Sequence, residues 1–305
     1  MPSSPSSADL EGRVVSGHGR HVVVEAADGS RVLCHARGKK SEYVVGARVL
    51  WQRSVDEGVV EAILARQNLL YRQDAWKTKG FAANLDQLLV VVAAEPVFSE
   101  SQLARALIAA RAAAIPARIV LNKHDLPSWA TAEARLAPYA AMGVDVIGVA
   151  LKKEPAQAHA LLAPLLADRT TLVLGPSGAG KSTLVNLLVS DAKAQVGEVS
   201  AAVNTGRHTT TATHWYWIDP GRKSALIDSP GFQEFGLRHI APNELGALMP
   251  DIALHANECR FYNCTHLHEP GCGVLAALER GEIGESRYRI YGEILAGLQG
   301  CKAPG

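Results

Sequence analysis

The stretch TTLVLGPSGAGKSTLVNLLV, residues 170–189, leaves the chain little conformational choice. A strand-like apolar run ends at Gly175, and a second apolar run with helical spacing opens at Lys181. The glycines between them let successive backbone N–H groups turn toward one point, and the helix that follows adds its positive N-terminal end. Such a loop holds phosphate. Gly175, Ser177, Gly178, Ala179, Gly180, Lys181, Ser182 and Thr183 are the candidate phosphate-binding residues. Lys181 supplies charge to the β- and γ-phosphates, and Ser182 a hydroxyl to Mg²⁺.

Buried-strand patterns recur before and after this unit. QLLVVVAAEP, ARIVLNKHD, VDVIGVA and SALIDSPG are separated by helical patterns such as ESQLARALIAARAAA and QAHALLAPLLAD. Alternation of this kind predicts a mainly parallel, doubly wound sheet, with ligands at the carboxyl ends of its strands. One of those ends carries Asn122-Lys123-His124-Asp125. A carboxylate at Asp125 can accept from both N1–H and the 2-amino group of guanine. Adenine offers neither donor there, and a polar group left unpaired discriminates steeply. Another end carries Asp228-Ser229-Pro230-Gly231, where the acid can hold Mg²⁺ through water and the glycine N–H can sense a γ-phosphate. Upstream, GRHTTT (206–211) offers threonine hydroxyls to the same cation. The base-reading tetrapeptide precedes the phosphate loop, the reverse of the order in ordinary guanine-nucleotide switches.

Two further regions flank this domain. Residues 12–65 hold five short β-like runs with a hairpin signal at ADGS, which predicts a small barrel of the OB or SH3-like type. Its Arg13, Arg20, Arg31, Arg37, Lys39, Lys40, Arg48 and Arg53 outnumber its acids and make it a candidate RNA-binding surface. Residues 66–84 read as a linker. Near the other end, Cys259, Cys264 and Cys272 cluster with His255, His266 and His268. Three thiolates and one imidazole would form a closed tetrahedral zinc set with no open position, which supports folding rather than catalysis. Lys plus Arg (31) nearly balances Asp plus Glu (30), so bulk charge neither requires nor excludes a nucleic-acid partner. The start of the chain lacks the basic-then-apolar pattern of a signal peptide, and no apolar run is long enough to span a bilayer. A cytoplasmic protein, without membrane contact and monomeric, is expected.

Taken in order, NKHD, GPSGAGKS, GRHTTT and DSPG resemble the RsgA (YjeQ) family of circularly permuted GTPases that act in small ribosomal subunit maturation. The likeness extends to the N-terminal barrel and the cysteine segment. It implies an OB-type barrel (12–65) behind a tail (1–11), a permuted α/β GTPase domain (66–235) and a helical zinc domain (236–305). It implies that Asn122, Lys123 and Asp125 read guanine, and that Ser177 to Thr183 wrap the phosphates. Thr210 or Thr211 would sense Mg²⁺, Asp228 and Gly231 the γ-phosphate, and His266 would complete the zinc set. It further implies GTP/GDP as ligands, with the 30S subunit and 16S rRNA as partners. The Ser-Ala pair expected near the base is replaced by Val149–Leu151. Phe232 stands where Ras-like switches place a water-orienting glutamine. His208 is then the local candidate for positioning that water, with Lys181 and Asp228 as the other catalytic candidates. Rival readings are a P-loop metabolic kinase, which would need no guanine selection, and a non-hydrolysing, GTP-dependent RNA-binding adaptor.

Overall fold

Alternation of in- and out-facing residues shapes the first five strands, β1 (Leu10–His18), β2 (His21–Ala26), β3 (Arg31–Ala36), β4 (Arg48–Arg53) and β5 (Gly58–Ile63). The computed structural model describes residues 10–18, 21–36, 43–54, 57–73, 78–189, 213–229 and 237–300. The inward residues Val14, Val24, Val49 and Val60 surround a fully buried Trp51. Strand order is β1-β2-β3-β5-β4, closed by β1 on β4, with β3 and β5 parallel. This closure is of the OB type, which settles the choice left open between OB and SH3-like barrels. Leu10 and Glu11, expected in the tail, belong to β1. They pair with Trp51 and Leu50, and Glu11 also meets Arg48 at 2.7 Å.

The expected linker is a hairpin, β6 (Leu69–Gln73) and β7 (Thr78–Ala83). Its apolar residues anchor it: Leu70 and Ala82 are buried in the main core, and Val45 of the barrel bridges to Ala82. Asn84 follows and donates from Nδ2 to the Gly46 carbonyl at 2.8 Å.

The central sheet consists of β8 (Gln87–Ala93), β9 (Ala117–Asn122), β10 (Asp145–Val149), β11 (Thr170–Leu174), β12 (His214–Trp217) and β13 (Ala225–Asp228). Its order is β10-β9-β8-β11-β13-β12, parallel throughout except for the antiparallel β12–β13 pair. Every residue of β8 is buried because helices cover both faces. Leu88, Val90 and Val92 pack with α1 (Glu100–Ala112) and α2 (Trp129–Ala141). Leu89, Val91 and Ala93 pack with α3 (Pro155–Leu166) and α4 (Lys181–Leu188). The short aromatic strand β12 was not anticipated. It continues the sheet into the barrel through the Ser16–His214 pair, giving eleven strands in one sheet.

Past residue 237 lie α5 (Leu245–Leu248), α6 (Pro250–Ala256), α7 (Gly273–Glu279) and α8 (Glu285–Gln299). Within this domain, expected to be helical, α7 and α8 are separated at Arg280–Gly284, where Gly281 adopts φ +74°. These helices share the core beneath α1 and α2. Arg287 of α8 is 4% exposed, forms a bidentate pair with Asp251 (2.7 and 3.1 Å), and stacks over the Tyr139 ring of α2 at 4.9 Å. Glu100 at the start of α1 accepts from Arg135 of α2 (2.8 Å) and Ser286 of α8 (2.7 Å), tying three helices together.

Candidate nucleotide site and metal centre

The loops after β9, β10 and β11 converge on one side chain. Asn122 is 4% exposed. Its Nδ2 donates to the Ala179 carbonyl in the glycine loop (2.9 Å), and its Oδ1 accepts from the Lys123 N–H (2.8 Å) and the Leu151 N–H (3.1 Å). The candidate base reader and the candidate phosphate loop are thus fastened by one amide. Gly180 stands at φ +109°, and a Cβ there would lie 2.3 Å from Asn122 Nδ2. Gly175, at φ +157°, has no room either, because a Cβ would meet the Val91 carbonyl oxygen at 2.1 Å. These glycines are required by close approach as well as by φ.

The Val149–Leu151 segment lies against the base loop despite lacking serine. It acts through its backbone: Val149 O accepts from the His124 N–H at 3.0 Å, and the Leu151 N–H donates to Asn122. Lys123, at φ +70°, donates from Nζ to the Glu95 carbonyl. Glu95 in turn accepts from the Ser128 hydroxyl at 2.7 Å. Asp125 is exposed, with its carboxylate open to a ligand. Sequence reading missed the fastening role of Asn122 because the tetrapeptide alone does not reveal what its first member touches.

Lys181 opens α4 and folds back on its own loop, donating to the carbonyls of Gly175 (2.6 Å) and Pro176 (3.0 Å). Burial lowers its pKa, opposed by the charge of Asp228. Asp228 ends β13. Its Oδ1 is shut off from solvent with no hydrogen-bond partner among the described residues. Burial pushes its pKa up to about 6, opposed by Lys181 and by the Ser229 N–H. An orphaned buried carboxylate oxygen beside an ammonium suits a hydrated divalent cation. Ser177, Gly178 and Ser182 are exposed on the loop, Thr183 is half-buried, and Ala179 is buried beneath. His208, Thr210, Thr211, Gly231 and Phe232 lie outside the described residues.

The cysteine cluster is drawn together between α6 and α7. Cys259, Cys264, His266 and Cys272 present ligand atoms all within 4.8 Å of one another. Cys259 Sγ lies 3.8 Å from Cys272 Sγ, and His266 Nδ1 lies 3.4 and 3.6 Å from those two sulfurs. Tetrahedral zinc with Zn–S near 2.3 Å and Zn–N near 2.0–2.1 Å requires edges of about 3.8 Å (S···S) and ~3.5 Å (S···N). The residues present therefore fit zinc, and Nδ1 is the imidazole atom that faces it. His255 is occupied elsewhere, against Glu258 at 3.4 Å. His266 adopts φ +59°, and the surrounding loop is braced to hold it there. Glu269 accepts from the N–H groups of Thr265 (2.7 Å), Leu267 and His268 (both 3.2 Å), while Tyr288 and Tyr291 of α8 donate to the carbonyls of His266 and Thr265 at 2.8 and 3.0 Å. Neither Glu269 nor the tyrosines were singled out from the sequence.

Two of the barrel's basic residues turn inward. Arg31 pairs with Glu25 at 2.9 Å, and Arg13 lies over the Trp215 and Trp217 rings at 4.6 and 5.5 Å. They join the barrel to β12 instead of facing a partner, which corrects their reading as part of an RNA surface. Arg48 and Arg53 remain at the surface; Arg20, Arg37, Lys39 and Lys40 lie outside the described residues.

The sequence profile of the RsgA GTPase family matches residues 63–238. The chain belongs to the RsgA GTPase family. Among its relatives, the small ribosomal subunit biogenesis GTPase RsgA of Variovorax paradoxus is 59% identical over 293 residues, covering 94% of this chain and 92% of the relative. The protein of the same name from Bordetella pertussis is 52% identical, covering 95% and 97%. Among solved structures, YjeQ from Thermotoga maritima superposes with a TM-score of 0.69 at 29% identity, covering 96% of this chain and all of that one. YloQ, described as a circularly permuted GTPase, gives 0.68 at 27%, covering 99% and 100%. The family likeness read from the motif order is borne out along nearly the whole chain.

Proposed function

We propose that this protein hydrolyses GTP to GDP and phosphate and binds the small (30S) ribosomal subunit during its late maturation. The observation that carries this reading is the Asn122 amide, which fastens a loop suited to guanine to a loop suited to phosphate. Family membership and the name shared by the relatives support the ribosomal half.

In this reading Asp125 accepts from the guanine donors, Lys123 flanks the base, and Asn122 positions both loops. Ser177 to Thr183 wrap the phosphates, with Lys181 leaving its own loop carbonyls for phosphate oxygens. Ser182 and Asp228 hold Mg²⁺, Asp228 through water. His208, Thr210 or Thr211, and Gly231 complete the γ-phosphate side, with His208 orienting the attacking water. Cys259, Cys264, His266 and Cys272 hold one structural zinc, which lends rigidity and takes no part in the chemistry. The chain divides into a barrel (10–65, with β1 beginning at Leu10), a GTPase domain (66–235) and a zinc domain (236–305), with the two outer domains contacting 16S rRNA. No helix of the described residues is long and apolar enough to cross a membrane. The protein works in the cytoplasm, as a monomer.

The test is GTP and ATP turnover with and without 30S subunits. Unassisted turnover on the order of 10⁻³ to 10⁻² s⁻¹ is expected, because Phe232 cannot orient water. Subunits should raise it at least about tenfold, a change of only ~1.4 kcal/mol. Equal use of ATP would favour a kinase-type site, and GTP binding without turnover a non-hydrolysing adaptor.

A further inference from the structure

A second cluster of metal-ligating side chains lies on the barrel, far in sequence from the cysteines. We propose that His21, His35 and Glu57 form a second metal site, one that takes a divalent transition-metal cation such as Zn²⁺. The three residues present ligand atoms all within 4.8 Å of one another.

Strand pairing builds this arrangement. His21 and His35 are directly opposite across the antiparallel β2–β3 pair. Their neighbours Val22 and Cys34 point into the core, so the alternation of the strands turns both imidazoles outward. The rings lie 4.4 Å apart between centroids. β5 runs parallel to β3 with Gly58 opposite Cys34, which brings Glu57 to the end of the same face. Gly58 makes that approach possible: a Cβ there would lie 2.5 Å from Cys34 Sγ and 2.9 Å from the Trp51 ring. His35 Nε2 rests against Glu57 Oε2. That oxygen is shut off from solvent and has no hydrogen-bond partner of good geometry among the described residues.

Two imidazoles from adjacent strands and one carboxylate from the residue just before β5 match the ligand types of zinc sites that keep a fourth position for water. Such a site differs from the Cys₃His centre in two measurable ways. It contains no thiolate, and it is exposed enough to exchange its ion, with His35 57% exposed. Affinity for first-row cations should rise from Co²⁺ to Cu²⁺ and be lower again for Zn²⁺.

The test uses the full chain, washed with chelator so that one equivalent of zinc remains in the cysteine cluster. Titration with Zn²⁺ should then fill one more equivalent at micromolar free metal. Co²⁺ loaded in place of zinc should give thiolate charge-transfer bands that saturate with the first equivalent, the second adding only weak visible bands. His35→Ala and Glu57→Gln should each weaken the second equivalent at least about tenfold, since even outer-sphere partners of a ligand cost that much. Glu57→Gln keeps the shape of the side chain, so it remains informative if His35→Ala disturbs the barrel. A wild type that stops at one equivalent overturns the proposal. A second equivalent that survives both substitutions, or that shows thiolate bands, does so too.

Discussion

Asp228 shows how a single side chain can be held at a cost until a ligand arrives. Its carboxylate is buried, one oxygen is unpartnered, and its pKa stands near 6. The folded state therefore holds this proton more tightly than the unfolded chain. That stabilisation is complete below the ordinary carboxylate range near 3.8 and is lost as pH rises through about 6. Relative to wild type, nucleotide-free Asp228→Asn should gain ~1–3 kcal/mol between pH 4 and pH 7, at about 1.4 kcal/mol per pKa unit. Thermal melts at stepped pH measure this, and the same variant should lose Mg²⁺-dependent nucleotide affinity. Gly180→Ala should act on the adjacent contact. A Cβ at that position meets Asn122 Nδ2 and strains a left-handed backbone, a cost of order 1–3 kcal/mol. Nucleotide titration should then show affinity falling about ten- to a hundredfold, with little change in the far-ultraviolet spectrum.

At the scale of elements, the zinc loop shows how little secondary structure a ligand set needs when a helix braces it. Tyr288 and Tyr291 reach back from α8 to the two carbonyls that flank the imidazole. Cys264→Ser should lose the zinc equivalent and release these contacts. Local folding energy on the order of 10 kcal/mol is at stake. Elemental analysis and limited proteolysis around residues 257–272 should register the loss, while Cys301→Ser should retain its metal. The cysteine spacing announced this centre because its ligands are close in sequence. The brace could not be read, because tyrosines on an amphipathic helix look like ordinary core residues. The β6–β7 hairpin was illegible for a related reason. Its strands are short and mix apolar with charged residues without a clear alternation, and what holds them is the contact of Leu70 and Ala82 with a distant core. β8, β9 and β11, buried on both faces, were legible because burial requires an unbroken apolar run.

For the whole molecule, the junction of barrel and central sheet is the feature least visible in the residues. Glu25 is buried and serves Arg31 at 2.9 Å and the Trp217 indole N–H at 2.7 Å, across a sequence gap that no local pattern spans. Glu25→Ala would remove the acceptor that Arg31 and the Trp217 indole share and should cost ~2–3 kcal/mol. A lowered urea midpoint of tryptophan fluorescence would report it, and Glu25→Gln, which keeps an acceptor, should lose less. The place of β12 in the fold has another consequence. Three of its four residues are aromatic (Trp215, Tyr216 and Trp217), and β1 with Arg13 covers its outer side. An uncovered aromatic edge strand is a template for pairing with another chain. A chain cut to begin at residue 63 would keep the intact phosphate and base loops, yet expose this edge to its own copies. Light scattering should show it self-associating where the full chain does not, so that the barrel guards solubility whatever else it binds.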